Sequence, residues 1–341
     1  YLAAVVTDGS RAGLAYVDIT TGEFLTTQLE CNEVEQELAR IQPRECLVPE
    51  RGRWKDDGGE TGEEGEHRLP FRAERVGGGI HVTPLQTYRF ELGGARQGLK
   101  DHFDVMTLDG FGCSGQPLAI RAAGAILHYL RETQRNALKQ IVGLSTYSTT
   151  RYMRLDANTR RNLELTETIR DRAKRGSLLG VLDETLTPMG GRLLRSRLVQ
   201  PLLDRQDLDD RLDRVGAFYR ETILRGRVRE LLEDLPDLER LTNRVVGSTA
   251  TPRDLVGIRK ALEAVPELAD ILGAGADERE KTDSSPFSAL AQELNPCDEV
   301  ARLIAAAIVD DPPGKVSGGG VIRRGFSDEL DGLLASVRDA R

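Results

Sequence analysis

The spacing of apolar residues changes near residue 158, and this change limits the fold more than any other feature of the sequence. Before it, segments 2–6, 14–19 and 23–27 follow the period of two that is typical of half-buried strands. After it, apolar residues recur every three or four positions, as they do along one face of a helix. The pattern predicts a multi-domain chain in which an α/β part precedes an all-α part.

The first part has a characteristic order of elements. An Asp-Gly pair at 8–9 and a Thr-Gly pair at 21–22 separate the three strands, so the strands are expected to form an antiparallel meander. An amphipathic helix follows at 34–41 and a short apolar strand at 46–48. A longer helix is predicted to begin near Pro117, since proline suits the first helical turn. Strand, strand, strand, helix, strand is the order of a ribonuclease-H-like α/β unit.

Capping and proline signals mark the ends of the later helices. Thr187 and Thr251 each precede a proline, which predicts an N-cap followed by proline at the first helical position. Pro201, Pro236 and Pro266 predict ends or kinks of the preceding helices. Two predicted helical faces consist of Leu208, Leu212, Val215 and Tyr219, and of Leu255, Ile258, Leu262 and Val265.

Two segments fit neither pattern. Residues 51–66 are charged and rich in glycine, which predicts a mobile surface loop with Trp54 as its one anchor. Residues 136–155 mix short apolar runs with serine and threonine, which predicts an extended connection. We therefore expect a domain boundary near residue 135.

Charge, cysteine spacing and hydropathy exclude several classes of protein. A net charge of −8 and a pI near 5.3 argue against a chain that coats nucleic acid through its overall field. No apolar run approaches the ~18–20 residues that cross a bilayer. The four cysteines form no CxxC pair, so we expect reduced thiols and a cytoplasmic location.

No segment carries a recognisable catalytic or ligand-binding motif. Gly93 with Gly98, and Gly320 with Gly325, have the spacing of a phosphate-binding loop, but the lysine and hydroxyl that contact phosphate and Mg²⁺ are misplaced or missing. The four histidines lack zinc-ligand spacing. We expect no catalytic residue, no cofactor and no metal in this chain.

One enzymatic alternative stays open for a ribonuclease-H-like unit. Two-metal phosphodiester hydrolysis requires several carboxylates that converge on a central strand. The centre of the first strand is apolar, Asp8 lies at its end, and Asp18 lies on the second strand. The alternative is a metal-dependent nuclease with a helical accessory domain.

Several long motifs resemble a known family. They are LDANTRRNLEL at 155–165, SLLGVLDETLTPMGGRLLRSRLVQPLL at 177–203, DLERLTNRVVGSTATPRDL at 237–255 and GGGVIRRGFSDELDGL at 318–333. These motifs resemble the lever, or core, domain of the MutS family of DNA mismatch-recognition proteins. YLAAVV at the start and DGFG at 109–112 resemble the family's connector domain, and TQRNALKQI at 133–141 resembles the join.

The resemblance implies a division into three regions. Residues 1–135 would be a ribonuclease-H-like connector domain, residues 136–315 the first half of an α-helical lever domain, and residues 316–341 the end of the outgoing lever helix near the clamp. Because the first strand begins at Tyr1 without an initiator methionine, we expect a fragment. Its ATPase, with ATP and Mg²⁺, would lie elsewhere, and apolar helix faces would be left exposed.

The resemblance also implies a function. The fragment would couple mismatch binding to the ATPase and to recruitment of MutL, without catalysis of its own. The parent would be a DNA-dependent ATPase and a homodimer, with mismatched duplex DNA and MutL as partners and no membrane association. A MutS paralogue that acts in recombination is the second alternative.

Five residues of these motifs are candidates for structural roles between the domains. Asp156 is a candidate N-cap, Arg160, Arg161 and Asn162 supply donors between connector and lever, and Thr187 is a candidate cap of a lever helix. Asn162 is close to Leu163 and Leu165 in sequence and is expected to be buried and hydrogen-bonded. The alternative for the two arginines is that they are solvated helix charges.

Arg96 and Gln97 are candidates for contact with MutL, by their position in the connector motif. The alternative is that they form ordinary polar surface.

Overall fold

The computed structural model describes residues 1–50, 71, 76, 79–274, 286–314 and 319–339. The predicted loop at 51–66, with Trp54, lies outside these residues. The chain divides into two compact units. The first comprises Tyr1–Asp183 and Leu194–Leu203, and the second comprises Glu184–Leu193 and Asp204–Arg341.

A mixed sheet of six described strands forms the centre of the first unit. The strands are β1 (Leu2–Asp8), β2 (Arg11–Asp18), β3 (Glu23–Glu30), β4 (Glu45–Pro49), β5 (His81–Leu85) and β6 (Ser145–Thr146), in the spatial order β5-β4-β1-β2-β3-β6. β1, β2 and β3 form the predicted antiparallel meander. β4 pairs in parallel with β1, β5 with β4, and β6 with β3.

Helices cover both faces of this sheet. They are α1 (Val34–Ile41) on one face, and α2 (Leu92–Phe103) and α3 (Pro117–Thr133) on the other. Ala4 and Val6 of β1 belong to the core beneath α3, whereas Ala3 and Val5 belong to the core beneath α1. β1 is therefore buried on both faces, which explains its continuous apolar sequence.

Helix α3 approaches the sheet closely at Gly13 of β2, because glycine has no side chain to separate the two. A Cβ on Gly13 of β2 would lie 2.0 Å from the carbonyl oxygen of Leu118. Beside this contact, the buried Thr26 hydroxyl donates to the carbonyl oxygen of Ala119 at 3.0 Å. The close approach and the buried hydrogen bond together fix the first turn of α3 on the sheet.

The segment 136–155 is not wholly extended, so that prediction is wrong in part. It includes most of α4 (Arg135–Leu138) and all of β6. The open edge of β3 presents backbone groups that β6 satisfies, and the Tyr147 amide donates to the Thr26 carbonyl oxygen at 3.1 Å. Two short helices follow in this unit, α5 (Ala157–Asn162) and α6 (Leu178–Leu182), and the division between units falls inside α7 (Pro188–Val199).

The remainder of the second unit is mainly helical over its described residues. Its helices are α8 (Arg205–Arg220), α9 (Thr222–Glu233), α10 (Leu238–Val246), α11 (Pro252–Ala274), α12 (Pro286–Glu293), α13 (Asp298–Ala307) and α14 (Asp328–Asp339). Ile258 and Leu262 of α11 pack against Ile304 of α13 in one apolar cluster. Leu272, near the end of α11, packs in a second cluster with residues of α8, α9 and α12.

The predicted helical faces differ in their surroundings. The face on α11 is buried at Ile258 and Leu262, whereas Leu212, Val215 and Tyr219 of α8 are 65%, 60% and 78% exposed. The described α8 thus presents an apolar stripe to solvent.

The structure confirms the two threonine caps, and Pro201 and Pro236 follow the ends of α7 and α9. The Thr187 and Thr251 hydroxyls accept from the amides of Gly190 at 3.0 Å and Asp254 at 3.3 Å. Pro266 lies inside α11 and does not end it, because residues on both sides of it are held in the two apolar clusters.

Among the described helices, none combines the length and apolarity that crossing a membrane requires.

Replacing Gly13 with alanine tests the seating of α3. The new methyl group would overlap the Leu118 carbonyl, so we expect a loss of ~2 kcal/mol or more in the free energy of unfolding, measured by urea denaturation. The matched control is Gly94→Ala on α2, where a Cβ meets no atom within 4 Å and a gain of up to ~1 kcal/mol is expected from helix propensity. Equal stability of the two variants would contradict the close approach.

Candidate functional site

A polar cluster in the first unit, centred on Arg40, joins side chains from residues 16–40, 147–160 and 200. We call it the Arg40 joint; its side chains are Tyr16, Glu37, Arg40, Tyr147, Arg160 and Gln200. The Arg40 side chain is only 9% exposed. Its Nε and Nη2 donate to Glu37 Oε1 at 2.8 and 2.5 Å. Arg40 and Glu37 are one turn apart on α1, so this helix presents a charged pair on its inner side.

Two tyrosine rings enclose the Arg40 guanidinium. Its Cζ lies 5.4 Å from the ring centroid of Tyr16 and 5.5 Å from that of Tyr147. The two rings meet edge to face at 5.9 Å. The Tyr147 hydroxyl donates to Glu37 Oε1 at 2.8 Å. Cation–π attraction and a shared acceptor thus hold Tyr147, which follows β6, against α1.

Burial determines the protonation states in the Arg40 joint. It raises the pKa of Tyr16 to about 12 and that of Tyr147 well above its usual value, so both phenols are neutral. Burial is the largest single effect and would lower the pKa of Arg40, but the ion pair and hydrogen bond with Glu37, together with the two neighbouring tyrosines, raise the pKa overall. The guanidinium stays charged because its counter-ion is adjacent.

The end of α7 completes the Arg40 joint. Arg160 of α5 is half-buried and donates to the carbonyl oxygens of Leu155 at 3.0 Å and Val199 at 2.7 Å. With its amide oxygen turned inward, Gln200 accepts from Arg40 Nη1 at 2.8 Å and Nε at 3.1 Å. Burial, followed by repulsion from Arg40, lowers the pKa of Arg160.

Further contacts surround the Arg40 joint. Arg154 pairs with Glu33 at 2.5 Å, and Arg195 donates to Gln42 Oε1 at 3.1 Å. The amide of Met153 donates to the Pro201 carbonyl oxygen at 2.8 Å. The cavity beside these residues is about 40 Å³, which has room for bridging water but not for a substrate. The arrangement is therefore suited to holding segments together.

The predicted residues of α5 have different environments. Asp156 is the N-cap, since its Oδ1 accepts from the Thr159 amide at 2.9 Å. Arg160 lies in the Arg40 joint, while Arg161 is exposed. Asn162 is also exposed, so the prediction that it is buried is wrong. It is the last residue of α5, where the chain turns away through Glu164 in the left-handed region (φ +46°).

The other predicted residues lie outside the Arg40 joint. Thr187 caps α7 in the second unit. Arg96 and Gln97 are exposed on α2, and Gln97 donates to Asp101 Oδ1 at 2.6 Å.

The carboxylates considered for a nuclease are separated from one another. Asp8 is exposed, and Asp18 accepts from the Thr20 amide at 2.8 Å in a local turn. Within the described ranges, no group of three or more His, Cys, Asp or Glu side chains is arranged to hold a metal ion.

Sequence reasoning missed Tyr16, Glu37, Arg40 and Tyr147. The one available signal was the i, i+3 spacing of Glu37 and Arg40 in a helix. That spacing is common on solvated helix surfaces, so it does not identify a buried cluster.

Comparisons with known proteins match both halves of the chain. The family model for MutS domain II matches residues 1–142, and that for MutS domain III matches residues 158–340. DNA mismatch repair protein MutS of Dehalococcoides mccartyi strain CBDB1 is 37% identical over 341 residues, which is 100% of this chain and 37% of that protein. The same-named protein of Nostoc punctiforme is 42% identical over 340 residues, 99% of this chain and 37% of the relative. The chain thus spans 37% of the length of these two relatives.

Replacing Arg40 with methionine tests the energetic weight of the Arg40 joint. The substitution keeps the apolar stem but leaves Glu37 without its counter-charge, so we expect a loss of ~3 kcal/mol in the free energy of unfolding. The matched control is Arg44→Met, because Arg44 is exposed and should change stability by less than ~0.5 kcal/mol. Similar urea midpoints for both variants would show that the joint contributes little.

The raised tyrosine pKa values predict a loss of stability in alkali. The unfolded tyrosine ionises near pH 10, whereas Tyr16 ionises near pH 12 in the folded chain. Its contribution to stability is therefore complete below pH 10 and is lost as the pH rises through 12. Tyr16→Phe should reduce the fall in unfolding free energy between pH 9 and 11, while Tyr219→Phe, at a residue that is 78% exposed, should leave it unchanged. An unchanged fall in both variants would contradict the burial of Tyr16.

Proposed function

The chain belongs to the MutS family, and from this premise we propose that it couples the mismatch-binding part of a MutS protein to the ATPase part. In this role the chain performs no catalysis. It transmits a change of position between segments that lie on either side of it. Such transmission requires packed elements with discrete arrangements, and the Arg40 joint is the candidate element.

One observation carries this proposal: the Arg40 joint contains residues from both matched domains. Tyr16, Glu37 and Arg40 fall within the range matched by domain II, whereas Arg160 and Gln200 fall within the range matched by domain III. Because Glu37 neutralises Arg40 within one helix, the guanidinium can release Gln200 without becoming an unpaired buried charge. The contact across the domains is therefore the weaker one, and it is the one expected to open and close.

We also propose the family's domain assignments for this chain. Residues 1–135 form a connector domain of the ribonuclease-H-like type, which the order β5-β4-β1-β2-β3, with β4 and β5 parallel to β1, supports. Residues 136–315 form the first half of the lever domain, and residues 316–341 lead to the clamp.

For the longer protein, we propose the activities and partners of a mismatch repair MutS. These are recognition of mismatched duplex DNA, ATP hydrolysis with Mg²⁺ outside this chain, a homodimeric state, recruitment of MutL and a cytoplasmic location. Arg96 and Gln97 are the proposed contact with MutL, since both side chains are exposed on one helix. Arg161 and Asn162 of α5 are exposed in this structure. We propose that they contact the neighbouring domain only when the domains take up a different relative position.

A chimaera tests the coupling. The matching segment of Dehalococcoides MutS is replaced by this chain, and ATP hydrolysis is measured with matched and mismatched duplex DNA. We expect Arg40→Met to preserve mismatch binding and basal hydrolysis but to remove at least half of the difference between the two DNAs. Arg44→Met serves as the control and should behave as the parent chimaera.

Two results would contradict the proposal. One is an unchanged mismatch-dependent difference in Arg40→Met under conditions in which the variant is folded. The other is catalysis by the isolated chain, either ATP hydrolysis above the buffer blank or metal-dependent DNA cleavage that Asp8→Asn abolishes. The cleavage result would favour the nuclease alternative.

A further inference from the structure

A short two-stranded ribbon leads into the last helix of the second unit. Ile308, just after α13, forms an antiparallel bridge with Ile322. The amide of Val309 donates to the Val321 carbonyl oxygen at 3.1 Å, and the amide of Arg323 donates to the Ala307 carbonyl oxygen at 2.8 Å. Helix α14 begins a few residues later, so the position of the ribbon determines where α14 starts.

One carboxylate connects this ribbon to α11. Asp310 Oδ1 accepts from Arg259 Nη1 at 2.8 Å and from Arg323 Nη2 at 3.0 Å. Arg259 belongs to α11, whereas Arg323 belongs to the ribbon and also donates to the carbonyl oxygens of Ala305 at 3.0 Å and Ile308 at 3.1 Å. Asp310 is thus the anion between a cation on the helix and a cation on the ribbon.

The two ends of this ion pair differ in burial. The Arg259 side chain is 10% exposed and that of Asp310 is 69% exposed. Arg259 Nε lies 3.5 Å from Glu263 Oε1 but makes no hydrogen bond within the part of the chain that the structure describes. A buried guanidinium that loses its anion is strongly unfavourable. Without Asp310, Arg259 would keep only the more distant Glu263 carboxylate, and the ribbon would keep the apolar contacts of Ile308 and Val321 with α11 but lose its ionic contact, which weakens its hold on α11.

A glycine between the ribbon and α14 allows the helix to change direction. Gly325 has a φ of +85°, and Gly319 and Gly320, in the connection between the two strands of the ribbon, have φ of +70° and +73°. Residues with side chains rarely adopt these values. Leu333 and Leu334 of α14 are 59% and 49% exposed, so these two side chains do little to hold α14 in place.

We propose that Asp310 is an ionic latch that holds the 307–310/321–323 ribbon on α11 and so fixes the direction of α14. With the latch closed, α14 leaves the second unit in one direction. With Asp310 displaced, the ribbon loosens and α14 turns about Gly325. The latch itself is independent of the Arg40 joint, and only its use in transmission rests on the proposed function. Arg259 and Arg323 keep the pKa of Asp310 below its ordinary value, so the latch stays charged at neutral pH.

Hydrogen exchange of backbone amides, followed by mass spectrometry on the whole chain, tests the latch. Asp310→Asn keeps the shape of the side chain and removes its charge, and Asp311→Asn is the matched control at the neighbouring exposed carboxylate. We expect the Val309 and Arg323 amides to exchange about tenfold faster in Asp310→Asn than in the control, while α11 amides exchange at the same rate in both. Equal rates at the ribbon would overturn the proposal.

A second variant separates the latch from a general loss of stability. In the double variant Arg259→Leu with Asp310→Leu, an apolar contact replaces the ion pair, and ribbon protection should return to within a few-fold of the parent. Faster exchange throughout α9–α13 in Asp310→Asn, or no recovery in the double variant, would mean that Asp310 is not a latch. Neither result depends on whether the Arg40 joint couples the domains.

Discussion

A charged guanidinium that leaves water must keep an anion beside it, and this requirement organises both the Arg40 joint and the contact of Arg259 with Asp310. Arg40 satisfies it with Glu37 on the same helix, and the two tyrosine rings then exclude solvent from the pair. The nearer counter-ion of Arg259 is Asp310, at 2.8 Å and far along the chain, while Glu263 of its own helix lies 3.5 Å away. A counter-ion on the same helix leaves the other contacts of the cation free to change. When the counter-ion lies on another element, as Asp310 does for Arg259, the ion pair also holds that element in place, because moving the element would separate the charges.

This difference suits the two regions to different tasks. In the first unit the sheet, α1 and α3 are closely packed, and Gly13 lets α3 approach β2 more closely than any side chain would allow, so the sheet and these two helices are expected to move as one rigid body. Contacts to Gln200 and the Val199 carbonyl are polar and few, and polar contacts have alternative partners in water. A rigid body joined through exchangeable polar contacts is what mechanical coupling requires.

Local signals in the sequence were sufficient for much of the fold. The meander of β1 to β3, the start of α3 at Pro117 and the caps at Asp156 and Thr187 each depend on a few neighbouring residues, so they could be predicted. The family motifs also led correctly to MutS. Properties that depend on distant contacts could not be predicted. Asn162 has apolar neighbours in sequence, but its exposure depends on where α5 ends. The Arg40 joint gathers residues 16 to 200, and no local pattern indicates that Arg40 is buried. β6 forms only because the edge of β3 lies open beside it.

The most direct test of the central claim is a double-mutant cycle between Arg40 and Gln200, which lie in the two matched domains. The free energies of unfolding of Arg40→Met, Gln200→Leu and the double variant are compared with that of the parent chain. If the Arg40 joint connects the domains energetically, the two substitutions are non-additive by ~1 kcal/mol or more. Additivity within ~0.3 kcal/mol would mean that Arg40 and Gln200 do not communicate, and the account of the chain as a coupling element would fail.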